Sequence, residues 1–145
     1  MRDILRGISE NGAVTTGQTV LVIEDDWVIR ETLQELLANE GYRVVTAVNG
    51  LEGLGLLRKE HDVCAILLDL QMPVMNGEKF LDEVQRDSDP RLKTLPVLVL
   101  TARRGGLDRP VAGLLRKPVD VDVLLDRLRE LCGGETPGTS ETSTP

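Results

Sequence analysis

Four places in this 145-residue chain put reactive side chains directly after a short apolar run. Val20-Leu21-Val22-Ile23 leads into Glu24, Asp25 and Asp26, and Cys64-Ala65-Ile66-Leu67-Leu68 leads into Asp69. Pro96-Val97-Leu98-Val99-Leu100 leads into Thr101, and the shorter Gly113-Leu114-Leu115-Arg116 leads into Lys117. Grouped carboxylates are ligands for hard divalent cations. A lysine ammonium is a compact point charge for an anion, and a threonine hydroxyl can donate or accept a hydrogen bond. The chemistry within reach therefore depends on whether the chain brings these residues to one patch.

The runs themselves answer that. Short apolar stretches separated by helical segments read as buried strands of a parallel sheet. In such sheets ligands bind beyond the carboxyl ends of the strands, where each of these residues falls. The spacing predicts strands at Thr19–Ile23, Arg43–Ala47, Val63–Leu68, Val97–Leu100 and Leu114–Arg116. It predicts helices at Trp27–Asn39, Gly50–Glu60, from Asn76 or Gly77 to about Asp87, and Val119–Leu131. Asp26 is placed to cap the first helix and Gly41 to stop it. Thr101–Ala112, with Gly105, Gly106 and Pro110, has no amphipathic pattern, so the fourth helix of the alternation is expected to be short or absent, and the segment mobile. Right-handed crossovers then give an α/β, flavodoxin-like, doubly wound five-stranded parallel sheet of order 2-1-3-4-5. Residues 1–18 read as a mobile arm, 19–132 as the domain, and 133–145, rich in Gly, Ser, Thr, Pro and Glu, as a disordered tail.

Composition narrows the function. The net charge of −7 argues against a nucleic-acid surface, which needs clustered Lys and Arg. Arg103, Arg104 and Arg109 read as a solvated loop. No apolar stretch is long enough to span a bilayer, and no apolar leader core opens the chain, so the cytoplasm is the expected compartment. The two cysteines, Cys64 in a strand and Cys132 closing the last helix, read as reduced thiols. His61, the single histidine, reads as a surface residue, and with no second His or suitably placed Cys a zinc site is not expected. Trp27 has two readings, a reporter at the rim of the patch or a half-exposed helix-start residue.

At this point the chain resembles the receiver domain of bacterial two-component response regulators. The resemblance rests on Leu21-Val22-Ile23-Glu24-Asp25-Asp26 with Arg30 downstream, Leu67-Leu68-Asp69-Leu70-Gln71-Met72-Pro73 with Gly77, Val99-Leu100-Thr101-Ala102, and Lys117-Pro118. It covers about residues 19–131. What it implies is a signalling switch: Asp69 accepts a phosphoryl group from a phosphohistidine, and the protein catalyses its own phosphorylation and dephosphorylation. The donor would be a sensor histidine kinase or a histidine phosphotransfer protein. The implied cofactor is Mg²⁺, held by Asp25 directly, Glu24 through water, Asp69, and the carbonyl of Gln71. The position of Arg30 favours Glu24 and Asp25 as the acidic pair, with Asp26 as helix cap; Asp25 with Asp26 is the alternative. Lys117 would pair with Asp69 and then with a phosphoryl oxygen, Thr101 would donate to that group, Ala102 would leave room for it, and Pro118 would follow a cis peptide that aims the lysine.

The chain also departs from the family. The Thr101-to-Lys117 segment is short, and Leu114 stands where the family commonly has an aromatic switch residue. No output domain is expected after residue 131, so the signal is expected to pass to an unknown downstream protein, with no nucleic-acid or membrane contact. One alternative is a pseudo-receiver, a constitutive interaction module that takes no phosphate. A phosphohydrolase of the haloacid dehalogenase type resembles an Asp-x-Asp arrangement, but Gln71 occupies the second position and leaves it without an acid–base residue.

Overall fold

The computed structural model describes residues 18–133. The arm and the tail expected at the two ends otherwise lie outside the described residues. The chain alternates β1 (Thr19–Ile23), α1 (Trp27–Asn39), β2 (Arg43–Ala47), α2 (Gly50–Lys59), β3 (Val63–Asp69), α3 (Gly77–Arg86), α4 (Pro90–Lys93), β4 (Val97–Thr101), β5 (Gly113–Arg116) and α5 (Val121–Leu131). The strands form one parallel sheet in the order β2-β1-β3-β4-β5, the expected order. All residues of β1 and β4 are buried, as suits strands covered on both faces.

Each helix is bounded by the residue chemistry at its ends. Asp26 caps α1, accepting from the N–H groups of Val28 at 2.9 Å and Ile29 at 3.2 Å. Gly41, at φ 98°, takes the left-handed turn past its end. Asn49, Asn76 and Asp120 cap α2, α3 and α5. The last helix starts at Val121, two residues later than expected, because Asp120 takes the cap position. The segment from Asp87 to Pro90 does more than end α3. Asp89 caps a further turn, α4, with Pro90 at its first position, where the missing N–H costs nothing.

Two apolar layers flank the sheet. Leu54 and Leu57 of α2, with Phe80, Leu81 and Val84 of α3, cover one face, over Leu21, Ile23, Ile66, Leu68 and Val99. Leu33 and Leu37 of α1, with Leu124 and Leu128 of α5, cover the other, over Val20, Val22, Ala65, Leu67 and Leu98. Leu51 and Val121 fall at the helical spacing of the apolar residues in α2 and α5 but are 58% and 44% exposed, so the buried stripes are narrower than that spacing. Residues 102–112 form no helix.

The cysteines correct the sequence reading: Cys64 and Cys132 are joined by a disulfide, with Cα atoms 5.0 Å apart. The reason is a register shift. Thr19 pairs with Val63, but Val20 pairs with Ala65, so Cys64 is an extra residue in β3. Alternation alone would put Cys64 on the face of Ile66 and Leu68, away from α5. The bulge turns it to the face of Ala65 and Leu67, where Cys132 packs at the end of α5.

Candidate functional site

The acidic turn after β1 is held by its own backbone and by Arg30. The Glu24 N–H donates to the Ala47 carbonyl at 3.0 Å. The Arg30 guanidinium donates to the carbonyls of Glu24 at 3.0 Å and Asp25 at 3.4 Å. Glu24 is 2% exposed. One of its carboxylate oxygens accepts from the Asp26 N–H at 3.1 Å and the other from Lys117 Nζ at 2.9 Å. Asp25 is exposed. Asp26 points its carboxylate at the N–H groups of α1, as its cap.

Asp69 closes β3 and is buried. The Gln71 N–H lies 3.4 Å from its Oδ1, and Lys117 Nζ is also 3.4 Å away. Lys117 was expected to pair with Asp69, and its shorter contact is with Glu24. Thr101, 1% exposed, accepts from the Arg103 N–H at 2.9 Å, while its carbonyl accepts from the Lys117 N–H at 2.9 Å. That last bond ties the ends of β4 and β5 together. The Lys117-Pro118 peptide is cis, as the resemblance implied. Ala102 and Pro118 are exposed at the rim. Gly77 must be glycine here: a Cβ would stand 2.7 Å from the Leu70 Cα and 2.9 Å from the Asp69 carbonyl oxygen, both backbone. The loop between also carries Val74 at φ 69°, a left-handed conformation that a β-branched residue rarely takes. Trp27 opens α1 at 64% exposure.

Electrostatics follow from this crowding. Burial pushes the Glu24 carboxyl above its ordinary range, and the Asp69 charge adds to that, against the hydrogen bonds from Lys117 and the Asp26 N–H. Burial works to lower the Lys117 ammonium, but its hydrogen bond to Glu24 and the charges of Glu24 and Asp69 win, and it is held above its ordinary value. One carboxylate oxygen from each of Glu24, Asp25 and Asp69 lies within 4.8 Å of the others. Three hard oxygen donors of net negative charge at that spacing suit a hard divalent cation such as Mg²⁺. Asp26 is not part of that group.

Sequence reasoning missed what holds the β4–β5 connection. Arg103 pairs with Glu78 at 2.6 Å, and Arg109 with Asp82 at 2.9 Å. Arg116 donates to the carbonyls of Arg103 and Gly105. Two of the three arginines read as a solvated loop are thus anchors onto α3. The available signal was the spacing of Glu78 and Asp82, four residues apart on one helix face.

With this geometry in hand, comparison with known proteins is specific. Residues 20–129 match the response regulator receiver domain. The chain is 36% identical over 124 residues to the response regulator MprA of Mycolicibacterium vanbaalenii, covering 81% of this chain and 52% of that protein. It is 37% identical over 119 residues to a CpxR-homologous transcriptional regulatory protein of Haemophilus influenzae, covering 77% and 49%. The chain thus spans about half the length of these relatives. Among solved structures it resembles the chemotaxis protein CheY4 of Vibrio cholerae, with TM-score 0.71 and 30% identity over 79% of this chain and 98% of that one. It also resembles the receiver domain of a Pseudomonas aeruginosa sensor histidine kinase that has a magnesium ion coordinated in its active-site cleft, with TM-score 0.72 and 26% identity over 81% and 99%. No helix among the described residues is long and apolar enough to cross a membrane. By sequence, by strand order and by the residues at its strand ends, the chain belongs to the receiver domain family of two-component response regulators.

Proposed function

We propose that this receiver is a phosphoacceptor switch in which Asp69 takes the phosphoryl group. One observation carries the reading: carboxylates from two strand ends, Glu24 and Asp25 after β1 and Asp69 on β3, converge within 4.8 Å, with Lys117 bridging Glu24 and Asp69. In the proposed step an Asp69 carboxylate oxygen attacks phosphorus. The bond to the donor imidazole nitrogen breaks, and the imidazole leaves carrying the electron pair and picks up a proton.

Asp25, exposed, would hold Mg²⁺ directly, together with Asp69 and the Gln71 carbonyl. Glu24, whose two oxygens already accept from Lys117 and the Asp26 N–H, would hold it through water. The ion supplies charge neutralisation at the phosphoryl oxygens. Lys117 stays charged and moves from the carboxylates toward the incoming phosphoryl oxygen. Thr101, whose oxygen accepts from the Arg103 N–H, has its own hydroxyl proton to donate to that group. The exposed Ala102 leaves room for it. The donor is a sensor histidine kinase or a histidine phosphotransfer protein. The net charge of −7 favours a protein over a nucleic acid as recipient of the signal.

Incubation with acetyl phosphate and Mg²⁺, followed by intact-mass analysis, tests this. The wild type should gain one phosphoryl group, and Asp69→Ala should gain none while retaining its fold. A wild type that stays unmodified with acetyl phosphate and with phosphorylated kinases would leave a pseudo-receiver that acts by binding alone.

A further inference from the structure

The end of the sheet opposite the acidic cluster carries a second reactive pair. Cys64 lies near the start of β3, and Cys132 caps the end of α5, 68 residues later. Three observations make the pair a built feature. The register shift in β3 falls at Cys64 and turns it toward α5. The Cys132 N–H is held by the Leu128 carbonyl at 2.8 Å, and its own carbonyl accepts from Gln18 at the entry to β1, so the second sulfur is fixed from both sides. The helix it closes has a thin attachment, with Leu124 and Leu128 its fully buried side chains.

The bond is not needed to fill the core. Two reduced cysteines would sit in the layer of α1 and α5 as small, nearly apolar side chains. Oxidised and reduced forms are therefore both compatible with the fold, and they differ in what holds the last turn of α5.

We propose that Cys64 and Cys132 form a reversible thiol–disulfide clamp on the last helix, exchanging with small disulfides and thiols of the glutathione class. In the opening direction an external thiolate attacks the sulfur of Cys64, which is half-buried where Cys132 is buried. A mixed disulfide forms at Cys64, and Cys132 leaves as thiolate and takes a proton. A second external thiolate then releases Cys64. The protein disulfide is reduced to two thiols and two glutathiones are oxidised to their disulfide. Closing is the reverse. Opening leaves the last turn of α5 attached through Leu128, Leu131 and the Gln18 contact.

The test uses the full chain in glutathione buffers of graded redox ratio. Free thiols are trapped with an alkylating agent and counted by intact mass, and amide exchange is read on the same samples. Oxidised protein should take up no label and reduced protein two, with full interconversion. Exchange across Leu128–Cys132 should quicken about tenfold or more on reduction, while Val20–Ile23 in β1 stays protected. Cys132→Ser and, separately, Cys64→Ser should show the fast helix exchange in every buffer. Glutathione adducts or intermolecular dimers in place of the internal bond would overturn the proposal. So would a bond that does not reduce in native buffer, or reduction that leaves exchange in α5 unchanged.

Discussion

Replacing Lys117 by methionine removes the cation that lies between two nearly buried carboxylates and keeps most of the side-chain volume. Its ammonium is 2.9 Å from Glu24 and 3.4 Å from Asp69, with side-chain exposures of 19%, 3% and 8%. At an effective dielectric of about 20, each contact is a gross attraction of about 5–6 kcal/mol. Desolvation of the three groups and repulsion between the carboxylates cancel much of that. Breaking a fully buried pair costs about 3–5 kcal/mol. Lys117 keeps some solvent, so the expected loss in metal-free buffer at pH 8 is about 2–3 kcal/mol, a fall of roughly 1–2 M in the urea midpoint. The loss has a defined pH dependence. The Glu24 carboxyl is already above its ordinary 4.5, so its ionisation opposes folding: its favourable contribution is complete below 4.5 and fades as pH rises through the folded value. Without Lys117 that value moves higher still, so the mutant penalty should be small near pH 4 and grow toward neutrality. Lys117 sits above its ordinary 10.5, so its contribution holds below 10.5 and disappears only as pH rises through its higher folded value. Adding Glu24→Gln to the mutant should return most of the lost stability, and saturating Mg²⁺ should return part of it. A penalty under about 0.5 kcal/mol at pH 8, or one that the second substitution leaves intact, would refute this account of the cluster.

Three further outcomes follow from the geometry. Mg²⁺ at about 100 times its Kd should stabilise the wild type by about 2.7 kcal/mol, Asp25→Asn should lose most of that gain and Asp26→Asn little, read by thermal shift with and without the ion. Val74→Gly should raise stability by about 0.5–1 kcal/mol in urea, because Val74 is 76% exposed and sits at φ 69°, where glycine has no Cβ penalty. The two glycines inside α2 should respond with opposite sign. Gly53→Ala should destabilise by about 1–3 kcal/mol, its Cβ falling 2.5 Å from the Ile23 Cδ1, whereas Gly55→Ala, with nothing within 4 Å, should gain about 0.5–1 kcal/mol.

The layout of the sheet was legible because each strand carries its own signal. β1, β3 and β4 are apolar at every position but one end residue, Thr19, Asp69 and Thr101, and such near-continuous runs mark strands covered on both faces. The helix starts were legible where capping is local: Asp26, Asn76 and their targets lie within three residues. The Asp87-to-Pro90 segment is local chemistry with two meanings: Pro90 follows the end of α3, yet at the first position of a turn capped by Asp89 it is also a start. The site residues were legible because a parallel sheet turns strand-end positions into neighbours. That Lys117 would contact Glu24 more closely than Asp69 depends on side-chain reach across three strands, which no spacing encodes.

What stayed hidden depends on a single inserted residue. Alternation is the rule by which a strand's faces are assigned, and it holds only while the register is constant. One extra residue at Cys64 reverses the assignment for it and for Val63 before it, and nothing in Val63-Cys64-Ala65 announces it. The connection after β4 poses the opposite problem, an excess of candidate partners. Arg103, Arg104, Arg109 and Arg116 lie within fourteen residues, and acids abound in a chain of charge −7. Helical spacing puts Glu78 and Asp82 on one face, but which arginines reach them is decided by where β3 and β4 end in the sheet. Arg103 and Arg109 do, and Arg104 remains exposed. Local chemistry thus specified the elements and the order of the sheet specified the site, whereas the bulge and the arginine anchors became visible only once strand register was fixed in space.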